Sequence, residues 1–587
     1  MLDLLRDQSV LVLGLGDSGL AMAAWAAWQG AARVRVWDSR DAAPQDAALA
    51  TLVPRAERLR GELGAEQLDD ATRVLKSPGL SPLDTRLQSL LGRARARSVP
   101  VQGELDLFAE ALAALKAQWR YAPAVLAISG TNGKTTTTAL TGQLCEAAGR
   151  RVAVAGNIGP TLLDTLSSKL REEGHAPAFD SPEQLDLPMP EPEPEADAPL
   201  LVDVVEPAPA EDISLEQLDE LLEHKALPIE PPPPRPPEFK ALPEVWVLEL
   251  SSFQLDGVQG FEPSAAAVLN ITQDHLDWHG DLQAYAGSKA RIFGSQALMV
   301  INRDDPLVEA MVPTPPPPPI GARGKPLKVT VKWTPRRACR FGLDEPKAPG
   351  DFGLVEAGGI AWLARALPSD DTPLRVKRGA KAQEIELQIQ RLMPAEALRI
   401  RGRHNSANAL AALALATEIG CPLAPMLHAL REYRGEPHRV EWVGTLGGID
   451  FVDDSKGTNV GATVAAIAGL GADREGSQLS LVLGGDGKGQ DFGPLRAPIA
   501  RHARAIALIG KDAELIALSL QGLELPIQRH DSLEAATRWA FEQAREGDTV
   551  LLSPACASLD MFRNYAHRAE VFVATARELA AERGETL

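Results

Sequence analysis

Cysteine is scarce in these 587 residues: Cys145, Cys339, Cys421 and Cys556 are the only four, far apart and without a CxxC pair. That excludes a disulfide framework and a cysteine-built zinc site, and it suits reduced, buried thiols in a cytoplasmic protein. No apolar run reaches the ~18–20 residues that cross a bilayer. The opening MLDLLRDQSVLVLGLG carries acidic residues early and runs into a strand pattern, unlike a signal peptide. A soluble chain with no membrane span is expected. Nor is there a long basic run, since 60 Lys and Arg stand against 79 Asp and Glu for a net charge of −19. A nucleic-acid binder needs a basic face to neutralise phosphates, so nucleic acid is excluded as a partner. The length is enough for several domains that bury cores without a metal or disulfide staple.

The charge that is present is unevenly spread. Residues 171–238 hold 19 acidic residues against three basic ones (Arg171, Lys225 and Arg235), so −16 of the −19 lies there and the rest of the chain is near neutral. The same segment contains PEPEPE at 190–195 and PPPPRPP at 231–237. Proline fixes φ and removes donors while like charges repel, so a disordered, acidic, proline-rich insertion is expected, with a short helix over 213–224 as the exception. It reads as a partner-binding arm or as a tolerated surface insertion, and the second is the preferred expectation. Residues 313–326, PTPPPPPIGARGKP, read as another enlarged loop. Elsewhere short apolar runs ending in Gly, Ser, Asn or Asp alternate with helical patterns, as in parallel α/β sheets whose strand ends carry function. Three α/β groups emerge, at 1–112, 113–435 and 436–587.

Each group ends its strands in chemistry. In the first, Gly14-Leu15-Gly16-Asp17-Ser18-Gly19 follows a strand and Asp38 closes the next. Alone, this spacing fits a dinucleotide fingerprint or a Rossmann-like turn for another nucleotide. In the second, Ser129-Gly130-Thr131-Asn132-Gly133-Lys134-Thr135-Thr136 joins a strand to a helical pattern. Its glycines let backbone N–H groups approach phosphates, Lys134 adds positive charge and Thr135 offers a hydroxyl to Mg²⁺, which reads as an ATP site. Glu249 ends another strand, poised for a metal beside the phosphates. His275 sits in Asp274-His275-Leu276-Asp277, a candidate ligand or a solvated loop residue, and Lys289 lies on a helical pattern that marks it only as a surface lysine. In the third group Asp453-Asp454-Ser455-Lys456, Gly484–Lys488 and residues 553–558 are polar strand ends, suited to binding carboxylates and phosphoryl charge or to plain helix capping.

In this order, GTNGKTT (130–136), GNIG (156–159), ELSSFQL (249–255), DHLD (274–277), YAGSKARIF, RGRHNSANALAA (401–412), PHRVE (437–441) and DDSKGTN (453–459) resemble the Mur ligases of peptidoglycan synthesis. The matches span the chain except the two inserts. The resemblance implies an ATP-dependent, amide-forming ligase of three domains: a Rossmann-like first, a P-loop-type ATPase second and a Rossmann-like third. GGDGKGQDF (484–492) and SPACASLDMFRNYAHR (553–568) are most similar to the branch that adds D-glutamate to UDP-N-acetylmuramoyl-L-alanine, and Asp-Asn-Pro-Arg, the signature of the diaminopimelate-adding relatives, is missing.

By that resemblance Gly14, Leu15, Gly16, Asp17 and Ser18, with Ser39, Arg40, Ser77, Pro78, Gly79 and Asn157, would bind the UDP-sugar. Gly130, Thr131, Asn132, Gly133, Lys134, Thr135 and Thr136, with Asn405, Asn408, Arg439, Asp454 and Lys456, would bind ATP. Thr135 and Glu249 would hold one Mg²⁺, and His275 with N-carboxylated Lys289 a second; Lys134, Glu249, His275 and Lys289 are the expected catalytic set. Thr458, Lys488, Ser558, Leu559 and Tyr565 would surround D-glutamate, Tyr565 standing where the family often has Phe. The third domain would close on a hinge near 432–437, in a cytoplasmic monomer. A sister ligase, a folylpolyglutamate-type ligase and a non-catalytic nucleotide sensor with a partner-binding arm are the alternatives.

Overall fold

The apolar runs ending in Gly, Ser, Asn or Asp become strands of three sheets in the computed structural model, which describes residues 2–157, 159–174, 238–317, 333–369, 386–471 and 476–587. The first sheet holds β1 (Ser9–Leu13), β2 (Arg33–Trp37), β3 (Glu57–Leu59), β4 (Arg73–Lys76) and β5 (Val101–Gln102), all parallel in the order β3-β2-β1-β4-β5. Strand order reverses beside β1, which opens a crevice at the carboxyl ends of β1 and β4, where a ligand fits an α/β sheet.

The second sheet holds β6 (Ala124–Ser129), β7 (Val152–Gly156), β8 (Val245–Glu249), β9 (Ala265–Val268), β10 (Leu298–Asn302), β11 (Ala338–Phe341), β12 (Phe352–Ala357), β13 (Ile360–Pro368) and β14 (Leu387–Pro394). Its order is β14-β13-β12-β11-β10-β9-β6-β8-β7, parallel from β7 to β12 and antiparallel through β13 and β14. Strand β6 therefore lies between β8 and β9, and the three carry their polar ends to one crevice. Helices Lys134–Ala147 and Arg403–Glu418 cover that sheet with Leu140, Leu144, Leu410 and Leu413.

The third sheet holds β15 (Glu441–Leu446), β16 (Ile449–Asp453), β17 (Leu479–Gly484), β18 (Ala503–Ile509), β19 (Ile527–Arg529) and β20 (Thr549–Leu552) in the order β15-β16-β20-β17-β18-β19. All its pairs are parallel except β15 with β16. The last strand returns between β16 and β17, so residues after Asp453, Gly484 and Leu552 meet at one edge.

The expected acidic insertion, with its helix at 213–224, lies outside the described residues except at its ends, as does 318–326 of the second loop. At the root of the insertion, helix Leu162–Glu173 extends three residues past the expected start. There the Glu173 carboxylate accepts from the backbone N–H groups of Lys240, Ala241 and Leu242. Among the described residues no helix is long and apolar enough to cross a membrane.

Candidate active site

The loop after β6 turns on Gly130 and Gly133, at φ +152° and +81°, a region that glycine enters without a Cβ penalty. A Cβ on Gly133 would sit 2.5 Å from Asn408 Oδ1, so the loop is also pressed against helix Arg403–Glu418. Asn270, at the end of β9, accepts from the Asn132 N–H at 2.8 Å and donates to the Asn132 carbonyl at 3.1 Å, pinning the loop tip. Helix Lys134–Ala147 then begins with no side-chain cap. Its first-turn N–H groups point out of the helix without a side-chain acceptor, the arrangement that receives an anion.

Two lysines meet under this loop. Lys134 Nζ donates to the carbonyls of Gly130 at 2.9 Å and Thr131 at 2.7 Å. Lys289 Nζ donates to the same Gly130 carbonyl at 2.8 Å and to Ser129 Oγ at 3.3 Å, and lies 4.7 Å from the centre of the Tyr285 ring. Lys289 is 1% exposed, so the surface lysine suggested by its local pattern is instead in the core. The Tyr285 ring lies one helical turn before it, whereas the Ser129 hydroxyl that it meets is 160 residues away in sequence. Burial lowers the Lys134 pKa, and burial followed by repulsion from Lys134 lowers that of Lys289 much further. Two ammonium groups sharing one carbonyl repel each other, which disfavours the charged form, more so at the buried Lys289.

Glu249 is buried at the end of β8; its Oε1 accepts from Asn157 Nδ2 at 3.0 Å, and its carbonyl accepts from the Asn157 N–H at 2.8 Å. Asn157 thus stands beside Glu249. His275, at φ +52°, sits at the rim with its ring centre 4.6 Å from that of Phe253 and Nε2 3.5 Å from Asp274. Asp274 acts electrostatically on both Lys134 and Lys289, which ties the histidine loop to the lysine pair.

The third sheet leans its polar edge on the same loop. Arg439 Nη2 donates to Thr135 Oγ1 at 2.6 Å and Asn459 Nδ2 to Asn132 Oδ1 at 3.2 Å. The Arg439 Nε is buried without a hydrogen-bond partner. Asn405 donates to the Arg401 carbonyl and accepts from Asn408, which orients both amides. Asp454 accepts from Ser553 Oγ at 2.6 Å, and burial pushes its pKa up to about 7. Together with Lys456, Asn132, Thr136 and His404, these groups line a cavity of about 70 Å³. That is below the ~300–1,000 Å³ of ordinary ligand pockets.

Three family models match: the Mur ligase MurD-like N-terminal domain over residues 8–103, the Mur ligase middle domain over 238–316 and the Mur ligase glutamate ligase domain over 438–556. Among solved structures, a MurF ligase from Thermotoga maritima in complex with ADP aligns over 99% of this chain and 97% of that one, at 15% identity and TM-score 0.49. The UDP-N-acetylmuramoylalanine–D-glutamate ligase of Albidiferax ferrireducens is 49% identical over 583 residues, 99% of this chain and 98% of that one. That of Burkholderia mallei is 48% identical over 98% of each chain. The chain belongs to the Mur ligase family.

In this Mur ligase the glycine turn after β1 is built by contact. A Cβ on Gly19 would lie 1.9 Å from the Gly14 carbonyl, and one on Gly14 at φ +88° would lie 2.9 Å from Ser77. Asp38 accepts from the Leu15 N–H at 2.7 Å and from the Arg40 backbone and guanidinium at 2.9 Å. Its carboxylate holds the turn, and the family match over residues 8–103 replaces the dinucleotide reading. Asp17 accepts from Gln45. Ser18 follows it on the first turn of helix Asp17–Trp28. Ser77 donates to the Gly14 carbonyl, and Pro78 and Gly79 follow at the end of β4. Beside them Trp37, Ser39 and Arg86 line a cavity of about 540 Å³.

The remaining expected residues gather on the third sheet. The Lys456 ammonium lies 5.1 Å from the Tyr565 ring centre, and the Thr458 N–H donates to the Lys456 carbonyl. Lys488, at φ +50°, donates its N–H to Asp486 at 3.0 Å. Ser558 is buried, while Leu559 is exposed beside it. Sequence reasoning named Ser129 and Ser553 only as motif ends, without their partners, and missed Asn270 and Tyr285. Asn270 had a signal, as a polar residue ending the apolar run AAAVLN; Tyr285 had one in its place a helical turn before Lys289.

Proposed function

We propose that this enzyme joins D-glutamate to UDP-N-acetylmuramoyl-L-alanine with ATP, in the cytoplasmic assembly of a peptidoglycan precursor. The near-full-length likeness to ligases named for that reaction supports it, and one observation carries the chemistry: a half-buried and a buried lysine, Lys134 and Lys289, converge on the Gly130 carbonyl at an uncapped helix N-terminus. Such a site is incomplete without a polyanion, and a triphosphate supplies one.

In the proposed reaction the alanyl carboxylate attacks the γ-phosphorus and ADP leaves. The D-glutamate amine then attacks the acyl phosphate, and the tetrahedral intermediate expels phosphate to leave an amide. Lys134 and the helix N–H groups hold the transferring charge. Asn132, Asn408, Arg439, Asp454 and Lys456 would hold the nucleotide at the seam of the second and third sheets. The oxygens of Thr135 and Glu249 would hold one Mg²⁺, a hard cation that takes oxygen donors, and the ion would neutralise phosphate charge there. A neutral Lys289 amine is the form that adds CO₂, forming an N–C bond and releasing one proton. The resulting carbamate would serve a second Mg²⁺ with His275. The turn of residues 14–18, with Ser39, Arg40, Ser77, Pro78, Gly79 and Asn157, would hold the UDP-sugar. Thr458, Lys488, Ser558, Leu559 and Tyr565 would hold D-glutamate. The enzyme would act as a monomer, with closure of the third domain excluding water from the acyl phosphate.

Phosphate release with UDP-N-acetylmuramoyl-L-alanine and ATP, comparing D-glutamate with L-lysine and diaminopimelate, tests this reading. D-Glutamate alone is expected to drive turnover; equal or greater release with either competitor would sink it.

A further inference from the structure

D-Glutamate carries two carboxylates, yet the five residues expected around it include a single cation, Lys488. The structure supplies another. Lys511 follows β18, the strand beside β17, and its Nζ lies 3.4 Å from Asp486 Oδ1, the same oxygen that accepts from the Lys488 N–H at 3.0 Å. The Lys511 ammonium and the Lys488 backbone N–H thus meet at one carboxylate oxygen, between adjacent strand ends. The position is fixed from the other side as well, because the Lys511 N–H donates to Asp560 Oδ2 at 2.9 Å, two residues past Ser558.

The ledge between the strands is tight. A Cβ on Gly510 would lie 2.6 Å from Asp560 Oδ2 and 2.7 Å from the Gly485 Cα, so the backbone before Lys511 is held against the loop that carries Lys488. The neighbouring acids are taken up in scaffolding: Asp512 accepts from the Gly487 N–H at 2.7 Å, and Asp560 accepts from Lys511 itself. What projects from the ledge is the Lys511 side chain, 63% exposed. A lone exposed lysine–aspartate pair contributes little to stability. Here the pair leaves a cation with two further N–H donors at the rim of the proposed amino-acid site.

We infer that Lys511 is a second carboxylate anchor for D-glutamate, working with Lys488 across Asp486. This rests on the reaction proposed above. With three strand ends, after β16, β17 and β20, already carrying the expected residues, Lys511 brings in a fourth, after β18.

Lys511→Met and Lys511→Arg test the inference in the full-length enzyme, with KM measured for each substrate in turn. Lys511→Met is expected to raise the KM for D-glutamate about five- to tenfold, the range for an exposed charge-assisted contact. The kcat and the KM values for ATP and the UDP-sugar are expected to stay within about twofold. Lys511→Arg is expected to recover most of the loss, which a purely structural role would not require. A D-glutamate KM within twofold of wild type in Lys511→Met, a fall in kcat alone, or an arginine variant as poor as the methionine one would each overturn it. A wild-type enzyme without D-glutamate-dependent turnover would overturn the reaction itself, and the inference with it.

Discussion

Between the first and second sheets the chain packs Phe108 edge-on against Trp246, with ring centres 5.0 Å apart, inside one apolar cluster running from Leu2 to Val308. Between the second and third it sets Arg439 against Thr135, Asn459 against Asn132 and Arg401 against Asp450. Among the described residues no apolar cluster crosses that second seam. The two junctions differ in what opening would cost. Parting the first exposes aromatic rings to water, at ~25 cal/mol for each Å². Parting the second exchanges polar contacts for water at about 0.5–1.5 kcal/mol each. The difference in cost favours parting at the second seam, where the 70 Å³ cavity lies, over parting at the first.

The largest expected effect breaks the apolar seam. Phe108 is fully buried on helix Glu104–Trp119, which leads from the first sheet to the second. Phe108→Ala is expected to destabilise the protein by about 3–5 kcal/mol in denaturant unfolding. A loss below about 1 kcal/mol would show that the seam is not held by its apolar core.

A titration tests the polar seam from the inside. Buried Asp454 has a folded pKa of about 7, above its unfolded value, so the folded state holds its proton where the unfolded state has released it. Stability is therefore expected to fall as pH rises from about 4 to about 7, by up to about 1.4 kcal/mol per pH unit from this one group. Asp454→Asn should flatten that slope in chemical denaturation across the range. An unchanged slope would mean that water already reaches the carboxylate and the seam stands open.

A smaller effect is expected from wedging that seam. Gly461 opens helix Val460–Gly471, and a Cβ there would meet Thr272 Oγ1 at 2.6 Å and Asn132 Nδ2 at 3.1 Å across the interface. Gly461→Val is expected to enlarge the radius of gyration in small-angle scattering and lower kcat/KM about tenfold, on the order of 1.4 kcal/mol. The melting temperature should hardly move. A matching fall in melting temperature would make this seam as structural as the first.

The contrast between seams also explains what the sequence made legible. Strand ends are local: VLVLGLG, AVLAIS and VWVLE show an apolar run, a turn residue and a charge within ten positions, so the three sheets and the phosphate loop were readable. Strands β11 to β14 were not read: ACRF is short and mixed, whereas LQIQRLMP and IAWLARALP carried a strand pattern that was passed over. Lys289 resembled any helix lysine; only the fold brings it to Gly130, 159 residues away. A shared core and a polar interface leave the same local pattern, so neither seam could be told from the other before their partners were known.

The smallest effect should come from the acidic insertion, whose root rests on the first seam through Leu170, Leu242 and Trp246 and leaves that packing intact when residues between 175 and 237 are removed. Helix Leu162–Glu173 ends on Gly174 at φ +78°, and the Glu173 carboxylate gathers the backbone N–H groups of Lys240, Ala241 and Leu242. The two ends of the insertion are thus tied together by Glu173 itself. Tyr121 donates to the Pro243 carbonyl at 2.7 Å and accepts from Trp246 Nε1, so the returning chain is fixed again before β8 begins. Replacing 175–237 by a short glycine-serine link asks no element of the sheet to move, and loop closure grows only slowly with length. Turnover is expected within about twofold of the full chain, as is usual for a change confined to a connection between elements. A folded deletion variant that lost activity would give the insertion a part in the reaction, and charge reversal within it would then separate a partner-binding role from a substrate-binding one.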